Sequence, residues 1–157
     1  MKARIDYDKV SPDVLKRLMP VEHYVHNSGL EASLLELVKM RASQINGCAY
    51  CIDMHSKDAR AHGETEQRLY ALDAWRETPF YTDRERAALA WTEAVTLITN
   101  GHAPDEVFDT VRQQFSEEEL VNLTLAVTMI NTWNRLSIAF RVVPGAYQPQ
   151  ITGAAAS

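Results

Sequence analysis

The stretch VNLTLAVTMINTWNRLSIAF is apolar around most of a helical circumference, and nothing else in the chain limits its fold as strongly. Ser116 and Glu119, just before it, have the spacing of a capping box, so the run begins as a helix. Such a helix must be covered on several sides. It is either the central core helix of one domain or a core helix that also meets another subunit, with Trp133 and Phe140 as candidate anchors.

The segments that must cover it also carry helical periodicity. Strand-like alternation is absent, and the Gly and Pro residues fall at joints, so the predicted class is all-α. Ser11-Pro12-Asp13 opens a first helix, which Pro20 is expected to restart and Asn27-Ser28-Gly29 to end. Leu34, Leu35, Leu37, Val38, Arg41 and Ile45 define a second helix from about Glu31 to the stop at Asn46-Gly47. A third starts at Cys48 or Ala49 and ends near Gly63, and a fourth covers roughly Glu64 to Trp75. Thr82 and Glu85 form a second capping box, for a helix running on to Asn100-Gly101, and Pro104 opens the next.

With 157 residues, 46% of them hydrophobic, the chain is long enough for one domain with a full core, expected to span 1–157. After Pro144-Gly145 periodicity stops, and the tail 144–157 is expected to be mobile or packed on a neighbour. The net charge is −5 and there is no Lys/Arg run, so no nucleic-acid partner is expected. MKARIDYDKV lacks an apolar leader core, and no apolar run reaches the roughly 20 residues of a membrane span. No membrane association is expected, and the expected location is cytoplasmic.

The only two cysteines stand together in INGCAYCIDMH. In a reducing compartment so short a loop is a poor structural staple, because closing it removes little unfolded-state entropy. A redox or metal role is the better reading. On a helix, steps of three and seven residues return to within about 60° of the starting direction, so Cys48, Cys51 and His55 share a face. If the second and third helices fold back about Gln44–Gly47, residues equidistant from the bend oppose each other, which sets Glu36 against His55. A thiol attacks only as thiolate, and a His backed by a carboxylate can take its proton. The expected relay runs from Cys51 to His55 to Glu36. The helix dipole, by contrast, acts most strongly on Cys48, so spacing leaves open which sulfur is activated.

The string LLELVKMRASQINGCAYC-x-x-x-H resembles the alkylhydroperoxidase D (AhpD) core, part of the carboxymuconolactone decarboxylase-like family, and the similarity continues through HGETEQRLYALDAWRETPFYTDRERAALAWTEAVT and NTWNR, so that it implies a domain core at about 14–141. The resemblance implies an AhpD-like helical bundle that assembles as a homo-oligomer, trimer or hexamer. It implies alkylhydroperoxide reductase (peroxidase) chemistry: Cys51 attacks a hydroperoxide, Cys48 resolves the sulfenic acid to a disulfide, and Glu36 and His55 move the proton. A dithiol reductant, lipoylated or thioredoxin-like, would restore the thiols. The sequence departs from the best-characterised pattern at Tyr50, where that pattern has a second His; a phenol with pKa near 10 is a poor base at neutral pH.

Other readings of the same residues are plainer. Two Cys and a His also make a zinc half-site, but three ligands on one helix are awkward, and His62 would lie about 10 Å further along the axis at ~1.5 Å per residue. Neither metal nor cofactor is expected. His23, His26, His62 and His102 lack patterned partners and read as surface or turn residues. Asn131, Asn134 and Arg135 read as polar braces around the site or as part of an intersubunit ion pair, and Tyr50 and Met54 as pocket lining or interface. Trp75 and Trp91 read as core or interface residues. Two alternatives to the peroxidase reading are a redox-sensing oligomeric module and a lactone decarboxylase.

Overall fold

A computed structural model describes residues 1–149, and the described residues are helical with no strand. The helices are α1 (Tyr7–Val10), α2 (Pro12–His26), α3 (Ala32–Asn46), α4 (Ala49–Ala61), α5 (Glu66–Ala71), α6 (Asp83–Thr96), α7 (Asp105–Arg112) and α8 (Glu117–Phe140), with a 3-10 segment, Leu72–Glu77, after α5. None of them is long and apolar enough to cross a membrane.

Both capping boxes form. The Thr82 and Ser116 hydroxyls accept the backbone N–H groups of Glu85 and Glu119, whose carboxylates reach back to the cap N–H groups. Two boundaries differ from the sequence expectation. Pro20 does not restart α2, which runs unbroken through it; Pro20 is exposed, so the carbonyl that loses its helical partner is open to water. The expected fourth helix is two pieces, because Ala74 leaves helical geometry (φ −108°, ψ 29°) between α5 and the RETPFY loop.

α8 is the central helix. It contacts α2, α3, α4, α6 and α7, and Leu123, Ala126 and Val127 on it have no exposed surface. The two candidate intersubunit anchors have partners within the chain: Trp133 Nε1 donates to Glu22 at 3.0 Å, and Phe140 packs on Tyr7 with ring centroids 5.7 Å apart. α3 lies between α4, α6 and α8 and is covered on most of its circumference. Arg41 holds it against α6 through Glu93 at 2.8 Å, and Trp75 donates to the same carboxylate at 2.9 Å. This packing makes α3 a rigid wall from which Glu36 and Lys39 project.

Past α8 the chain returns to α4. Gly145 N–H donates to Asp53 at 3.0 Å, Lys57 donates to the carbonyl of Tyr147 at 3.1 Å, and the Tyr147 hydroxyl donates to Asp58 at 2.7 Å. The expectation of a mobile or neighbour-packed tail covered 144–157, of which 150–157 lie outside the described residues.

Candidate active site

The α3–α4 bend forms at Asn46-Gly47. Gly47 takes a left-handed conformation (φ 68°, ψ 33°) that residues with a side chain rarely adopt, while the N–H groups of Gly47 and Cys48 return to Gln44 and Ser43 at 3.1 and 2.9 Å. From the far side α8 braces the bend. Asn46 Nδ2 donates to Asn134 Oδ1 at 2.8 Å and Asn131 Oδ1 at 3.0 Å, and Asn134 donates to Ser43 at 3.0 Å. Arg135 donates to Asn131 Oδ1 at 2.8 Å, one shell further from the sulfurs.

Cys48 is the N-cap of α4, and its sulfur accepts the Cys51 N–H at 3.4 Å. Both cysteines are buried and carry free thiols, with the two sulfurs 2.7 Å apart. The thiol of Cys51, together with its N–H, stabilises a thiolate on Cys48 and lowers that thiol to about 7, against the opposing effect of burial. Cys51 is pushed upward, first because it supplies that hydrogen bond and then because it is buried. Of the two sulfurs, Cys48 is therefore the favoured site for a negative charge, and it is the cap residue on which the helix dipole acts most strongly.

Glu36 and His55 meet as the hairpin geometry predicts: His55 Nδ1 lies 2.8 Å from Glu36 Oε2, and both side chains are buried. Burial pushes the Glu36 carboxyl upward, but the hydrogen bond and charge of His55, with Lys39 behind, outweigh it, so the group lies below the usual range. The first half of the expected relay is not a direct contact. The hydrogen-bond partners of the Cys51 sulfur are Cys48 and, at 3.9 Å, Ser137.

A cavity of about 510 Å³ joins these groups. Cys51, Glu36 and His55 line it, whereas Cys48 lies behind Cys51 and does not. Tyr50 and Met54 are on its wall; burial and the nearby Cys51 push the Tyr50 phenol upward, away from use as a base. Tyr7, Leu15, Met19 and Ile130 make much of the rest apolar, and Tyr147 closes one side.

Among the wall residues that spacing did not assign to the site are Glu22, His26 and Lys39. Lys39 is almost fully buried, which a lysine in a sequence does not announce; the signal available was its place one helical turn from Glu36 inside the apolar run LLELVKM. His26 is exposed, as the sequence reading had it, and its Nε2 lies 3.0 Å from Lys39 Nζ. His62 lies at the cavity edge with its Nδ1 2.8 Å from the Asp58 carbonyl, while His23 stays exposed.

Glu36, His55 and Asp58 offer ligand atoms within 4.8 Å of one another, which is close enough for a metal ion. Each already has a hydrogen-bond partner, with His55 Nδ1 on Glu36 and Asp58 accepting the Tyr147 hydroxyl. Lys39 also puts a cation 3.8 Å from Glu36. The donor set suits proton handling better than metal binding.

Residues 12–94 match the carboxymuconolactone decarboxylase family. The uncharacterized protein YdfG of Bacillus subtilis (strain 168) is 48% identical over 139 residues, covering 88% of this chain and 95% of that protein. A crystal structure from Agrobacterium tumefaciens, of a protein of unknown function for which an AhpD-type antioxidant role has been suggested, superposes with a TM-score of 0.90 at 49% identity, over 93% of this chain and 100% of that one. The debrominase Bmp8 shares the fold with a TM-score of 0.79 at 23% identity, over 88% of this chain and 74% of that one.

Proposed function

The chain belongs to the carboxymuconolactone decarboxylase family and has an AhpD-like fold; from that premise we propose that it is a thiol peroxidase of the alkylhydroperoxide reductase type. One observation carries the reading: two free sulfurs lie 2.7 Å apart, with Cys51 on the wall of a cavity that also holds the Glu36–His55 pair.

Of the two sulfurs Cys51 meets substrate, because it alone lines the cavity, while the resting charge is on Cys48. The proton on Cys51 passes to Cys48 along the S–H···S contact, and the Cys51 thiolate attacks the terminal oxygen of R–O–OH. An S–O bond forms, the O–O bond breaks, and the leaving alkoxide takes a proton from protonated His55, whose charge Glu36 balances. Cys48 then attacks the Cys51 sulfenic acid; the S–S bond forms, the S–O bond breaks, and hydroxide leaves as water with the proton released by Cys48. The peroxide is reduced to alcohol and water and the dithiol oxidised to disulfide. A dithiol reductant, a lipoylated or thioredoxin-like protein, reverses that oxidation through a mixed disulfide. A homo-oligomeric state fits the exposed Val10, Val14, Met19 and Ile138 on α1, α2 and α8, elements linked by mutual contacts.

Mass spectrometry after one equivalent of cumene hydroperoxide tests the chemistry. The expected product is a sulfenate on Cys51 in the Cys48→Ser variant and an intramolecular disulfide in the unaltered protein. Sulfenate on Cys48 in Cys51→Ser, with none on Cys51 in the converse variant, reverses the order of attack. No peroxide consumption by the reduced protein with a dithiol present, and no effect of Cys51→Ser on any thiol reaction, removes the reading. Lactone turnover that survives loss of both cysteines points to the decarboxylase alternative instead.

A further inference from the structure

Lys39 is 2% exposed on α3, and its ammonium faces three acceptors. Glu22 Oε1 on α2 lies at 2.8 Å, His26 Nε2 at 3.0 Å and Glu36 Oε1 at 3.8 Å. His26 Nε2 also lies 3.4 Å from Glu22 Oε1, so it accepts from the ammonium when bare and donates to Glu22 when it carries a proton. Glu22 has a second anchor, the Trp133 indole N–H at 3.0 Å on α8. A line of alternating charge thus runs along the cavity wall, from Glu22 through Lys39 and Glu36 to His55. With His55 neutral it carries a net charge of −1, and with His55 protonated it carries none. One proton completes it.

We propose that Lys39 and Glu22 are positioning residues that set the pH at which the Glu36–His55 pair takes up its proton, Lys39 by holding Glu36 ionised and Glu22 by offsetting Lys39. Burying a lysine costs several kcal/mol unless its charge is matched, and a lysine with no function on this wall could be replaced by an apolar side chain. Against burial, the Glu22 carboxyl is lowered first by the His26 hydrogen bond and then by Lys39, and the Glu36 carboxyl first by His55 and then by Lys39. The other titratable groups on the cavity are Tyr7 from α1; His26 from α2; Tyr50, Cys51 and Asp58 from α4, with His62 at that helix's end; and Tyr147 from the tail. The α8 wall contributes Ile130, Trp133 and Ser137, none of which titrates near neutrality. Asp58, which accepts the Tyr147 hydroxyl at 2.7 Å, puts a carboxyl oxygen within 4.8 Å of the pair on the α4 side, so Lys39, 3.8 Å from Glu36, is the charge that bears on the pair from α3, with Glu22 of α2 behind it. The electrostatic claim stands on geometry, while its bearing on turnover rests on the peroxidase reading above.

The test is an NMR pH titration of the His55 ring in the reduced full-length protein, assigned with His55→Gln and read beside the pH profile of cumene hydroperoxide turnover. Lys39→Met removes the nearer cation and should raise the midpoint by about one pH unit, whereas Glu22→Gln should lower it by about half a unit. The double variant should return close to the original midpoint, a cancellation that a merely structural role does not produce. Shifts of the same sign in both single variants, or no shift in folded protein, overturn the proposal. If Lys39→Met does not fold, the nearly isosteric Glu22→Gln decides alone: a downward shift supports the proposal, and no shift or an upward one overturns it. Opposed midpoint shifts without peroxide turnover leave this proposal standing and remove the peroxidase reading; turnover without such shifts does the reverse.

Discussion

Oxidation of the Cys48–Cys51 pair should change stability by an amount that shrinks as pH rises. Closing a four-residue loop removes unfolded-state entropy worth at most about 2 kcal/mol, and this favours the oxidised protein at every pH. The reduced protein has an opposing, pH-dependent stabilisation, because its folded state holds the Cys48 thiol near 7 instead of the ordinary 9.0. A depressed folded pKa contributes stability that is fully present above the unfolded value and is lost as pH falls through the folded one. The reduced fold therefore gains almost nothing at pH 6, about 1 kcal/mol at pH 8 and about 2 kcal/mol at pH 9. Solvent in the adjoining cavity trims these figures. The upward displacement of Cys51 subtracts only a few tenths below pH 9, where that thiol is mostly protonated when unfolded too. Urea unfolding of oxidised and fully reduced protein from pH 6 to 9 reads the difference directly. The oxidised form should lead by about 2 kcal/mol at pH 6 and lose most of that lead by pH 9. A lead that stays constant or grows with pH would refute the placement of the resting charge on Cys48. Cys48→Ser, which has no such thiolate, should lose the pH-dependent part of the reduced protein's stability.

Two further outcomes follow from packing. Leu123→Ala, at a position with no exposed surface at the centre of α8, should cost about 3 kcal/mol and lower Tm by roughly 10 °C in a thermal melt. Tyr147→Phe removes the 2.7 Å bond to Asp58 that ties the tail over the cavity; it should destabilise by about 1 kcal/mol in urea and speed alkylation of Cys51 by iodoacetamide.

Much of this site is local and could be read along the chain. Glu36 and His55 straddle a bend marked by Asn46-Gly47, so counting outward from the bend sets them opposite each other, and they meet at 2.8 Å. The cap position of Cys48 likewise follows from a cysteine standing directly after a left-handed Gly. Lys39 and Glu22 were hidden for the opposite reason, since they are 17 positions apart on helices whose packing no spacing rule gives. Pro20 misled in a related way, because a proline reads as a break unless its outward exposure is known.

The sequence by itself determined the helical class, both capping boxes and the placement of two thiols, a histidine and a glutamate around one hairpin. These depend on 3.6-residue periodicity and on turns a few residues long. Only the tertiary structure decided that Cys51 lines the cavity while Cys48 lies behind it as the sulfur favoured for a thiolate. It also decided that Lys39 is buried between two carboxylates and that the tail returns to α4. Each of these depends on which surfaces of distant segments exclude water together, and that is set by packing around α8, not by residues adjacent in the chain.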